Sequence, residues 1–148
     1  MLDQERIYSI LELLKLFDNS NKIASNLVQN FFRSRKHMGS KDRKFISSSF
    51  WNILRHRSKI GWHLTVLDVE ITHERELFLE LFFLNPRYKN NLIEIKKLLL
   101  LKFKDFVNIA DEDLHFLKSL TIGDFYNNKM TEPVYYELPE YLITSVKK

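Results

Sequence analysis

The chain has 148 residues, 45% of them hydrophobic and 28% charged, with a net charge of +4. That size and balance suit one soluble domain able to bury a core without staples. It holds no cysteine and three scattered glycines, Gly39, Gly61 and Gly123, which excludes a disulfide framework, a thiolate metal site, a cysteine nucleophile and a glycine-rich phosphate cradle. No apolar run approaches the roughly 20 residues of a membrane span, and the acidic start MLDQERIY is unlike a signal peptide. The expectation is a cytoplasmic protein with no membrane partner.

Helical periodicity dominates. Ile7, Ile10, Leu11, Leu14 and Phe17 recur at three-four spacing behind Asp3 as cap. After the turn Asp18-Asn19-Ser20-Asn21, a second helix carries Ile23, Leu27, Val28, Phe31 and Phe32. A third is predicted over 40–57 and a short fourth over 60–67. Thr72 caps a fifth with Leu77, Phe78, Leu81 and Phe82, closed by Pro86. A sixth covers 92–101. A seventh starts at Asp111-Glu112-Asp113, acids that complement a helix start. The tail over 123–139 reads as irregular, with Val134-Tyr135-Tyr136 a weak strand candidate. The fold class is all-α, six or seven helices around one core.

Between helices two and three lies His37-Met38-Gly39-Ser40. Gly39 is predicted to end one helix in the left-handed conformation, and Ser40 to cap the next. This hinge joins two basic clusters. From 33 to 59 there are nine Lys/Arg and one acid, Asp42, a charge of +8; the remainder carries −4. Such asymmetry points to a polyanionic partner.

At about 100° per residue, Lys41, Lys44, Ser48, Asn52, Arg55 and Lys59 fall within roughly 80° of one another, opposite Ile46, Phe50, Ile53 and Leu54. Lys41, Lys44, Arg55 and Lys59 therefore form an expected outward stripe, extended across the hinge by Arg33, Arg35 and Lys36. Such a stripe can follow nucleic-acid phosphates and leave base choice to others. Arg43 and Arg57 project toward the apolar side, where Arg43 is expected to pair with an acid or a carbonyl. The five histidines (His37, His56, His63, His73, His115) lack zinc-helix spacing. Trp51 and Trp62 are candidates to stack on bases, but Trp51, at the boundary of the apolar face, is read as core, and Ser47-Ser48-Ser49 has no histidine-acid partner that would activate a nucleophile.

Gly39, Ser40, Asp42 and Arg43, followed by Leu54, Arg55 and Arg57, match a Gly-Ser-x-Asp-Arg turn and a Leu-Arg-x-Arg helix end. In these residues the chain resembles the N-terminal domain of RsmB/Sun-type ribosomal RNA cytosine-C5 methyltransferases, alphaproteobacterial members above all. Asp113-Leu114 to Leu120 resembles that family's last helix, and Leu138-Pro139-Glu140-Tyr141-Leu142 its Pro-Glu-Trp-Leu element, with tyrosine for tryptophan. Residues 68–110 match only in helical character. The resemblance implies a NusB-like helical bundle over 1–148 and a role in binding ribosomal RNA. It also implies a neighbouring catalytic domain, in cis or in trans, that uses S-adenosylmethionine. That domain needs a glycine-rich cofactor loop and an attacking cysteine, so this chain is expected to hold no cofactor or metal and to be no enzyme alone. It would be the N-terminal part of such an enzyme, or the product of a split or truncated gene. Two other readings stay open: a NusB-type transcription antitermination factor, and a protein-interaction module that docks a separate catalytic chain.

Overall fold

The computed structural model describes residues 3–100, 125–127 and 129–137. Among them are seven helices and no strand: α1 (Asp3–Asp18), α2 (Ala24–Arg33), α3 (Ser40–Arg55), α4 (Arg57–Val66), α5 (His73–Phe83), α6 (Leu92–Leu100) and α7 (Glu132–Tyr136). The chain is all-α over these residues, and none of these helices is long and apolar enough to cross a membrane. The helix expected from Asp111, the element at 138–142 and Gly123 lie outside the described residues. The chain divides into two compact units, Met1–Asn52 and Ile53–Lys148, with the boundary inside α3.

In the first unit α1 packs on α2. Ile7, Ile10, Leu13 and Leu14 of α1 and Ile46 and Phe50 of α3 are fully buried, and Phe17 meets Phe50 edge to face with centroids 6.1 Å apart. Each such side chain contributes roughly 1.5–3 kcal/mol, against about 0–1 kcal/mol for an exposed ion pair. The apolar face of each helix therefore sets its rotation, and the charged residues take what orientation remains.

The hinge differs from the expectation. Neither Gly39 nor Gly61 has a positive φ. α2 ends at Arg33, where Ser34 Oγ donates to the Phe31 carbonyl (3.0 Å), and Gly39 begins the next helix instead of ending the last. The Gly39 carbonyl accepts the first helical bond, from Arg43 N–H at 3.0 Å. The Asp42 carboxylate lies beside the Gly39 backbone, three positions into the helix. Ser40 is the first helical residue rather than the cap. Glycine is tolerated at this N-cap position.

In the second unit α5 is the central helix: all nine residues from Arg75 to Phe83 are buried, the charged Arg75, Glu76 and Glu80 among them. It packs against α4 and α6, and α4 also holds α7. Thr72 caps α5 as expected, its hydroxyl accepting from Arg75 N–H (3.2 Å). Asn91 caps α6 through Glu94 N–H (3.3 Å). α4 closes with Asp68 at φ 57°, Val69 N–H bonding to the Leu64 carbonyl (3.1 Å) and Asp68 N–H to that of Thr65 (3.0 Å). This is a Schellman end with aspartate where glycine is usual. The tail expected to be irregular contains α7. Pro133 sits in its first turn, where the missing N–H costs nothing, so Val134 and its neighbours are helical and not a strand.

Candidate nucleic-acid interface

Arg33 ends α2, Lys36 lies in the connection, and Lys41 and Lys44 occupy the first turns of α3. All four are exposed, and no carboxylate pairs with any of them among the described residues. The loop that spaces them is held from behind. Arg43 Nε donates to the Met38 carbonyl (3.0 Å), the carbonyl partner expected for it. Asp42 accepts from Arg6, at 2.8 Å from Nε and 2.7 Å from Nη2. That guanidinium, aided by the Gly39 N–H, outweighs desolvation and holds the Asp42 carboxyl below the ordinary 3.8.

Arg35, expected in the stripe, turns back onto the protein. Its guanidinium lies 3.7 Å from the centre of the Phe31 ring, meets Glu12 at 2.6 Å and bonds the Phe31 carbonyl at 3.2 Å. The planar fork can stack and pair at once, which a lysine cannot. Arg35 thus fastens the connection to α1 and is no free cation.

Between α2 and α3 the first unit has an open groove of about 510 Å³. Arg33, Arg43 and Lys44 line it together with Val28, Phe32, Gln29 and Ser47, and it contains no acid. A second groove, of about 380 Å³, mixes Glu5 and Asp42 with Arg35 and His37 and favours neither sign of charge. The spacing of Val28 and Phe32 marks only a helix. Their pairing with Gln29 and Arg33 one row over was the available signal for a groove.

The second unit treats its cations differently. Arg55 is exposed on the last turn of α3. Lys59, expected to point outward, is 2% exposed. Its Nζ lies 3.3 Å from Glu137 Oε1 and 5.0 Å from the centre of the Tyr126 ring. The projection failed because the helix does not run through: His56, at φ −115° and ψ 20°, breaks it, and α4 starts afresh at Arg57. Glu137 also accepts the Ser58 and Lys59 N–H groups at 3.2 and 2.9 Å. It thereby caps an α4 N-terminus that has no side-chain cap of its own and no acid in its first turn. Arg57, expected on the apolar side, makes a two-point ion pair with Glu76, at 2.8 and 3.2 Å, the Glu76 side chain being 5% exposed. Burial, with Lys59 and Arg55 adding to it, pushes the His56 pKa below 6.5 against the opposing pull of Glu137.

His63 is buried, with Nε2 3.2 Å from the Phe125 carbonyl. Trp51 and Trp62 are half-buried and meet Phe50 and His63 edge on. No group of three His, Asp or Glu among the described residues is placed to hold a metal ion. Compared with protein-family models, with curated proteins and with solved structures, the chain matches none of them.

Proposed function

We propose that the chain is a non-catalytic, NusB-like RNA-binding module that serves a ribosomal RNA cytosine-C5 methyltransferase of the RsmB/Sun type, in cis or in trans. The observation that carries this reading is the set of four exposed cations, Arg33, Lys36, Lys41 and Lys44, without carboxylate partners and held on one braced helix-loop-helix of the first unit. Within the matching set Gly39, Ser40, Asp42 and Arg43, the side chains of Asp42 and Arg43 supply the brace. Phosphates displace counterions as they meet such cations, and that release drives binding without regard to sequence. Arg35, Arg57 and Lys59 take no part in RNA contact here; they hold the protein together. S-adenosylmethionine and the cysteine that attacks the cytosine ring belong to the separate catalytic domain.

The test uses the full chain and a fluorescent transcript of a small-subunit ribosomal RNA hairpin. With Arg33, Lys41 and Lys44 all changed to glutamate, affinity falls about 100-fold near 0.1 M salt and the log–log salt slope shrinks by about 2–3. Unaltered affinity in a variant with a native circular dichroism melt rejects the reading. Binding to an acidic protein, with none to RNA, favours the protein-docking alternative instead.

A further inference from the structure

The four free cations explain adhesion to any polyanion, yet cations that only grip phosphates need no groove between them. Here α2 places Val28 and Gln29 one turn before Phe32 and Arg33, and α3 places Arg43 and Lys44 one turn before Ser47. Rows four residues apart share a helix face, so the two helices line one trough with apolar, amide, hydroxyl and cationic groups together. Its volume of about 510 Å³ lies within the roughly 300–1,000 Å³ of small-ligand sites.

We propose that this groove seats one unstacked nucleotide, which makes the chain a reader of single-stranded rather than duplex RNA; the inference rests on the RNA-binding reading above. Arg33 and Lys44 take the flanking phosphates. Val28 and Phe32 supply the apolar wall. Phe32 is only 9% exposed, so the flat surface offered to a base is the Arg43 guanidinium, whose Nε is anchored on the Met38 carbonyl and which lies 5.7 Å from the Phe32 ring centre. An anchored guanidinium stacks on a base with little ordering cost. Gln29 is exposed, and its amide offers both a donor and an acceptor to a base edge, while Ser47 adds a hydroxyl. A duplex keeps its bases stacked inside. Its phosphates reach the rim cations and leave the groove unfilled, whereas a single strand can turn a base in.

The full chain is titrated at fixed salt with a labelled decanucleotide of adenosine and with a ten-base-pair RNA duplex. The single strand binds at least about fivefold tighter, as one seated base predicts. Ser47→Phe fills the groove and leaves every charge in place; it lowers single-strand affinity to the level of the duplex and leaves duplex affinity alone. Gln29→Ala, on an exposed position of α2, gives a smaller loss in the same direction. Equal affinity for both RNAs, with both variants silent, overturns the groove assignment while the cation reading stands. Failure to bind either RNA overturns both.

Discussion

Two basic segments keep very different shares of their cations in solvent. Over 33–44 the cations Arg33, Lys36, Lys41 and Lys44 stay in solvent and Arg35 turns onto Glu12, while over 55–59 Arg57 and Lys59 are drawn onto Glu76 and Glu137 and Arg55 stays exposed. The sole acid inside the first segment, Asp42, is claimed by Arg6 of α1, so it cancels none of the neighbouring lysines directly. In the second segment the acids come from α5 and from the end of α7. Local charge density is therefore a poor guide to the field a helix presents. A cation counts toward a polyanion site only if no carboxylate elsewhere in its own unit has already neutralised it.

The contrast is sharpest when one change is made in both places. Lys59→Glu sets a second carboxylate against Glu137 in a buried position and costs about 4–5 kcal/mol, read as an early urea transition. Lys44→Glu leaves that transition where it was and lowers RNA affinity severalfold. Loss of stability in Lys44→Glu, or a pure RNA defect in Lys59→Glu, breaks the distinction. Glu137→Ala follows, at about 2–4 kcal/mol: α4 loses its cap and Lys59 its counter-charge. The salt slope of RNA binding is unchanged. Arg57→Ala costs about 1–3 kcal/mol, because the nearly buried Glu76 is left with its desolvation uncompensated.

Two pH effects are smaller. His56 has a folded pKa below its unfolded value of about 6.5, so the unfolded chain takes up the proton first. Stability is unpenalised above pH 6.5 and declines as pH falls through the window beneath it. His56→Gln removes that part of the decline in urea midpoints measured across the range. Asp42 is also lowered, from 3.8. Its contribution is present above about pH 4 and is lost below that as the carboxyl protonates. Asp42→Asn flattens this acid limb and does not alter the His56 window.

Much of the fold was legible residue by residue. Thr72 before α5, the three-four spacing of Ile7, Ile10 and Leu14, and the apolar run that makes α5 a buried helix are signals that act within one or two turns. Ile46, Phe50 and Ile53 were assigned to the buried side of α3, and all three are fully buried. Arg43 found the carbonyl partner expected of it. The errors have separate origins. The stripe was projected through His56 as if one axis continued, and a single non-helical residue reset the phase so that Lys59 turned inward. α7 escapes the sequence reading because five residues give periodicity too little length.

Short-range chemistry wrote the helices, the Thr72 cap and the number of positive charges into the chain, since each depends on neighbours a few positions apart. Which charges remain available was settled only on folding. Arg35 meets Glu12 across 23 positions, Arg57 meets Glu76 across 19, and Lys59 meets Glu137 across 78. An ion pair forms at about 3 Å in space, and no local pattern encodes a distance between residues so far apart in the chain.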